Sequence, residues 1–138
     1  MPQPSSVRNV LYIMCDQLRR DYLSCYGHPH LHTPNIDRLA AAGVRFSRAY
    51  TQGTICGPPR MSAYTGRYVS SHQVAWNAVP LPLEELTIGD YLRPAGIRTA
   101  LVGKTHATPN LDAQQHLKLD PASAAVEQLN EVGFEPYA

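Results

Sequence analysis

The sequence predicts an α/β fold with a mostly parallel sheet and flanking helices. Three observations carry this. Apolar runs of strand length recur at Val7–Met14, Val44–Tyr50 and Thr99–Gly103. Segments of helical spacing separate them, and each apolar run ends abruptly in polar residues. Strands that alternate with helical patterns imply βαβ units, and a near-continuous apolar run implies a strand covered on both faces.

The elements follow in order. Residues 1–6 read as a disordered tail. Val7-Arg8-Asn9-Val10-Leu11-Tyr12-Ile13-Met14 is rich in β-branched and aromatic residues and reads as a fully buried strand. Cys25 to His32 is a loop, by its Gly27 and Pro29. Thr33 is placed to cap a helix that has Pro34 at its first position; Ile36, Leu39, Ala40 and Val44 keep helical spacing, and Gly43 suits the exit. Val44 to Tyr50 reads as a second strand, and Thr51 to Pro59 as a turn-rich loop. Arg60 to Tyr64 reads as a short helix ended by Gly66. Leu86 to Leu92 is a helix stopped by Pro94 and Gly96, with apolar positions facing a sheet. Thr99 to Gly103 is a third strand, and Ala122 to Val132 a last helix before Gly133.

Composition narrows the function. The chain has 138 residues, 43% hydrophobic, enough for a buried core and for one domain. Twelve basic against eleven acidic residues leave a net charge of +1, with no electrostatic footprint for nucleic acid. No apolar run approaches the roughly 20 residues of a membrane-spanning helix. The first residues lack the basic and apolar regions of a secretion signal, so a cytoplasmic protein without a membrane partner is expected. Three cysteines, Cys15, Cys25 and Cys56, are an odd number without a CxxC pair, which argues against a disulfide framework and against a cysteine zinc site. The His28-Pro29-His30-Leu31-His32 tract has no carboxylate or cysteine beside it and reads as a solvated loop. The Arg19-Arg20 pair reads as a solvated turn.

Three polar clusters remain: Asp16-Gln17, Cys56-Gly57-Pro58-Pro59-Arg60, and Lys104-Thr105-His106. In a parallel sheet the strand exits share one edge, so the first and third clusters are expected to meet there. The second enters a helix. Together they offer a carboxylate for a hard cation, a nucleophile at a helix N-terminus, and cationic groups. That set suits a tetrahedral oxyanion, whose charge positive groups and helix-end amides are expected to offset, and metal-assisted displacement at sulfur or phosphorus.

Cys56-Gly57-Pro58-Pro59-Arg60-Met61-Ser62-Ala63-Tyr64-Thr65-Gly66-Arg67 resembles the sulfatase signature C-x-P-[S/A]-R-x-x-x-[L/M]-T-G-R. Asn9 to Gln17 resembles that family's first strand and metal aspartate; Thr33-Pro34-Asn35-Ile36-Asp37-Arg38-Leu39-Ala40 looks like the segment after it, and Gly103-Lys104-Thr105-His106 like its sulfate-contacting G-K-x-H segment. Four blocks in the right order span residues 8–107. The resemblance implies an alkaline-phosphatase-like fold and a sulfuric ester hydrolase of the arylsulfatase type. It implies that Cys56 is oxidised to formylglycine by a formylglycine-generating or sulfatase-maturating enzyme that reads Pro58, and that the hydrated aldehyde attacks the ester. Arg60 would support that aldehyde. Asp16, Gln17 and the modified Cys56 would face a divalent metal, calcium first, with magnesium or manganese left open. Lys104 and His106 would bind the sulfate oxygens, with His106 also bonded to the diol.

The pattern departs from the family at three places. Gln17 stands where many sulfatases have a second aspartate, Pro59 where Ser or Ala is usual, and Tyr64 where an aliphatic residue is usual. Asn77 sits where the phosphonate monoester hydrolase branch has a pocket asparagine, so a phosphonate monoester or phosphodiester hydrolase is the rival expectation. His72 and Asn77 are otherwise candidates for the pocket rim, with a structural role favoured, and Cys15 and Cys25 core or loop thiols. Sulfatases are several times longer, and the second half of their metal site has no counterpart after residue 107. Residues 7–138 therefore read as the N-terminal part of a sulfatase catalytic domain, expected to be inactive alone; a non-catalytic fragment is the third reading. The substrate is expected to be a small sulfate ester. The sequence leaves a homo-oligomer open.

Overall fold

Proline, glycine and short polar caps set most helix ends in this chain. A computed structural model describes residues 7–77, 79–107, 111–116 and 118–135. Its helices are α1 (Pro34–Ala42), α2 (Gly57–Thr65), α3 (Val69–His72), α4 (Ile88–Leu92), α5 (Leu111–His116) and α6 (Ala124–Glu131), with short 3-10 turns at Arg20–Tyr22, Ser24–Tyr26 and Arg93–Ala95. The chain divides into two compact units, Met1–Ser47 and Arg48–Ala138. The expected tail, residues 1–6, lies outside the described residues.

In the first unit, Thr33 precedes α1 and Pro34 opens it, as its sequence requires. Gly43 stands at the exit with extended backbone rather than in the left-handed region. Thr33 does not cap through its side chain. Its hydroxyl and that of Ser24 both donate to the Asp37 carboxylate, at 3.2 and 2.6 Å, which ties the Ser24–Tyr26 turn to α1. The Ser24 hydroxyl, then that of Thr33, holds the Asp37 carboxyl below the usual range. Arg19 pairs with Asp21 and lies over the Tyr22 ring; Arg20 lies over Tyr26 and donates to the Ser47 carbonyl. The histidine tract is a turn device. His28 Nδ1 accepts from the main-chain N–H groups of His30 and Leu31, at 3.1 and 2.8 Å, and its ring stacks on Tyr22.

The expected strands form no ladder among the described residues. Residues 7–14 and 44–50 carry no ladder, and their apolar side chains are exposed: Val10 is 86% and Phe46 70% accessible. In the third segment Ala100 makes an isolated parallel bridge to Glu135, and Val102 is exposed. The reason is physical. A helix closes its hydrogen bonds within one segment, but a strand needs a neighbour's amides and carbonyls. The apolar pattern records a face meant for burial, without naming the segment that covers it.

The second unit has the core. Met61, Tyr64, Val74, Leu81, Ala107 and Val132 pack together, with Leu101 and Phe134 against them. The Tyr64 and Phe134 rings meet edge to face at 5.8 Å. The helix read over 60–64 begins three residues earlier, at Gly57, and ends as expected where Gly66 takes the left-handed conformation (φ 68°). Gly57 and Pro58 both precede a proline, a context that disfavours helical backbone through clash with the preceding Cβ. Gly57 has no Cβ, so it tolerates the helical start. The helix read over 86–92 begins at Ile88, with a capping box between Thr87 and Asp90. Leu86 and Ile88 are half exposed and face no sheet among the described residues. The last helix starts at Ala124, where the Ser123 hydroxyl accepts from Val126 N–H. At its end Val132 and Gly133 both take left-handed backbone and turn the chain onto α4. There Thr87 Oγ1 donates to the Val132 carbonyl at 2.7 Å and Arg93 to that of Gly133 at 2.9 Å. Arg67 forks onto both oxygens of Glu85, at 2.7 and 2.8 Å, joining the end of α2 to the segment before α4. No described helix is long and apolar enough to cross a membrane.

Candidate active site

The site is built on the start of α2. Cys56 precedes the helix with helical backbone (φ −68°, ψ −41°) and partly exposed sulfur-bearing side chain. Met61, fully buried one turn further on, anchors the helix in the core, a contribution of about 1.5–3 kcal/mol by area burial. Helix position and nucleophile position are therefore linked.

Three residues converge on this helix start. Lys104 Nζ lies 3.4 Å from Cys56 Sγ. Arg60, only 6% accessible, donates from Nη1 to the main-chain carbonyl of Lys104 at 2.8 Å. Asn77 Oδ1 accepts from the Gly57 N–H at 2.7 Å. A Cβ at Gly57 would lie 3.1 Å from Asn77 Cα and 3.2 Å from the Trp76 carbonyl oxygen, so glycine also permits this close approach. The structure thus brings together Cys56, Arg60, Lys104 and Asn77. His106 follows two residues along the same loop, partly buried, with left-handed backbone (φ 58°). Gly103 (φ 99°) makes the first reversal of that loop.

One expectation about charge needs correcting. Helix-end amides were expected to offset an oxyanion. Pro58 and Pro59 have no N–H, and the Gly57 N–H is already bonded to Asn77. Of the orphan amides that a helix start ordinarily presents, the one left is that of Cys56. An anion at this helix start would meet side chains rather than a row of amides.

Asp16 and Gln17 belong to the first unit. Both are exposed, at a bend that follows the apolar residues 7–14, and Gln17 has left-handed backbone (φ 53°). A carboxylate and an amide oxygen suit a hard divalent cation, which takes six or more oxygen ligands. Among the described residues no group of three His, Cys, Asp or Glu is gathered for a metal. The donor chemistry fits; the donor number does not close a shell.

The sequence reading names His72 as a candidate for the rim and favours a structural role. His72 is fully buried. Its Nδ1 accepts from Val74 N–H at 3.1 Å, so the neutral ring carries its proton on Nε2, which donates to Ser62 Oγ at 2.8 Å. His72 and Asn77 hold the 69–77 segment against α2 at two points. No spacing rule signals such a pair, because the bonds form across a turn of left-handed Gln73. Burial pushes the His72 pKa below its ordinary 6.5, with Glu85 opposing. The unfolded chain then binds the extra proton first, so stability is expected to fall as pH drops below about 6.5, by at most roughly 1.4 kcal/mol per unit, and to level off below the folded value. Urea unfolding between pH 7.5 and 5 checks this, and His72→Gln is expected to flatten that part of the profile; an unchanged slope refutes it.

The family model for sulfatases matches residues 8–128. The chain belongs to the sulfatase family. Among relatives of this sulfatase-family chain, a multifunctional alkaline phosphatase superfamily protein, PehA, of Trinickia caryophylli is 40% identical over 108 residues, covering 75% of this chain and 21% of that protein. Arylsulfatase A of Homo sapiens is 40% identical over 104 residues, 71% of this chain and 20% of the relative. The crystal structure of the phosphonate monoester hydrolase of Agrobacterium radiobacter superposes with a TM-score of 0.70 at 32% identity, over 88% of this chain and 23% of that one. This likeness supports the α/β, alkaline-phosphatase-like class. The chain spans about a fifth of the length of the curated relatives it matches. Sulfatase membership implies in general a divalent metal and a formylglycine.

Proposed function

We propose that this sulfatase-family chain carries the nucleophile half of a sulfuric ester hydrolase. The single observation that carries the reading is the contact of Lys104 Nζ with Cys56 Sγ at 3.4 Å, inside the family signature. A cation in this reading stands beside the side chain whose hydrate oxygen, once the sulfur has been replaced, would attack the ester. In this reading Cys56 is converted to formylglycine by a maturating enzyme, and its hydrate attacks a small sulfate ester. Lys104 and His106 hold the sulfate oxygens, and Lys104 offsets the charge that develops on them. Arg60 positions Lys104 through its carbonyl and supports the hydrate, while Asn77 fixes the helix start at Gly57 and lines the pocket. Asp16 and Gln17 would act as oxygen donors toward a divalent cation, calcium ahead of magnesium or manganese; that ion would supply Lewis acidity when bound. Residues 7–138 form the N-terminal part of the catalytic domain, and the three apolar segments are its parallel strands. The setting is cytoplasmic.

Lys104→Ala tests the substrate class. Turnover of an aryl sulfate is expected to fall by about two orders of magnitude, and of a phenylphosphonate ester by much less. Equal losses overturn the sulfate assignment. The second reading, a phosphonate monoester hydrolase, is favoured by Gln17 after Asp16 and by the solved structure named above. It predicts the faster parent rate on the phosphonate.

A further inference from the structure

We propose that Cys56, before its conversion, is a peroxide-sensitive thiol that closes a reversible sulfur–nitrogen crosslink with Lys104. The inference stands on the contact between these two side chains and not on the reaction the mature site performs. Cys56 Sγ and Lys104 Nζ are 3.4 Å apart across 48 residues of sequence. The sulfur is partly exposed and the lysine is exposed, so a small oxidant reaches both. Neither backbone has to move. Cys56 is set by α2, whose first amide is bonded to Asn77, and the Lys104 carbonyl is gripped by buried Arg60. Two groups held this way react with the advantage of an intramolecular step.

The chemistry balances with hydrogen peroxide as the oxidant. The thiolate sulfur attacks a peroxide oxygen, the O–O bond breaks, and sulfenic acid and water form. The neutral amine nitrogen of Lys104 then attacks that sulfur. The S–N bond forms, the S–O bond breaks, and hydroxide leaves with an amine proton as water. One thiol, one amine and one peroxide give one sulfenamide and two waters; sulfur loses two electrons and peroxide gains them. Two equivalents of an external thiol return the thiol and the amine and become a disulfide. While closed, the crosslink withholds from maturation the sulfur that conversion needs.

The test uses the purified protein made without its converting enzyme, with Cys15→Ser and Cys25→Ser to exclude disulfides. After stoichiometric hydrogen peroxide, intact mass is expected to fall by about two hydrogens, peptides containing Cys56 and Lys104 are expected to be joined, and dithiothreitol is expected to restore the starting mass. In Lys104→Gln the loss is expected to vanish and a sulfenic-acid trap, dimedone, to label Cys56 instead. Dimedone-labelled or sulfinic Cys56 with an unjoined Lys104 in the parent overturns the proposal, and this readout holds even if the variant fails to fold.

Discussion

In the complete hydrolase that is proposed, replacing Cys56 with alanine is expected to lower sulfate-ester turnover by about 10³-fold or more, the scale seen when a covalent nucleophile is removed. The fold is expected to survive. Cys56 makes no side-chain cap bond to α2 and is absent from the core cluster. Circular dichroism and the urea midpoint should therefore match the parent while turnover collapses. A companion measurement sharpens the claim. Activity of parent preparations should rise in proportion to the fraction of Cys56 found as the aldehyde by mass spectrometry. Turnover that is independent of that fraction, or that survives Cys56→Ala, would remove Cys56 from the chemistry.

The largest effect on stability is expected at Gly89. A Cβ there would lie 2.1 Å from the Gly133 carbonyl oxygen, 2.6 Å from its carbon and 3.0 Å from Phe134 N. These are backbone atoms and cannot swing aside. Gly133 is itself wedged between Thr87 and Asp90, its carbonyl bonded to Arg93. Relief requires the 132–135 turn to lift, which draws Val132 and Phe134 off the core and breaks the Glu135 N–H bond to the Thr99 carbonyl. The expected cost of Gly89→Ala is about 3 kcal/mol or more, several degrees in melting temperature. Gly96→Ala is the control: its Cβ meets open space, and the left-handed backbone (φ 71°) costs only about 1–2 kcal/mol. A Gly89→Ala protein as stable as Gly96→Ala would mean that the turn does not sit on α4.

Local signals were legible in the sequence and non-local ones were not. Thr33-Pro34, Gly66 and Gly96 mark helix ends because their effect lies within one turn of backbone. The four-residue α3 escaped because it is too short to display a period and has no side-chain cap. The three apolar segments were recognised as faces for burial, but ladder partners are set by distant chain. In the site, the signature points to Cys56 and Arg60, and the G-K-x-H segment to Lys104. What Arg60 holds, a main-chain carbonyl 44 residues away, is invisible in sequence because every residue has that carbonyl. Asn77 was noticed as a pocket residue; its bond to Gly57 emerges only once the two segments are adjacent.

The start of α2 has a consequence for substrate range. Where rigid main-chain donors encircle an oxyanion, they select bond lengths and angles as well as charge. Here two prolines and an occupied amide remove most of those donors, and in the proposed reaction recognition would pass to a lysine on a rotatable stem. Such a cradle senses negative charge closely and the shape of the central group loosely. In the proposed reaction, ester chemistries that share a tetrahedral anionic head would differ little in the ground state, and Lys104 would separate them only as charge develops in the transition state. In the proposed hydrolase, this helix start would trade fidelity in binding for breadth at its most rigid point.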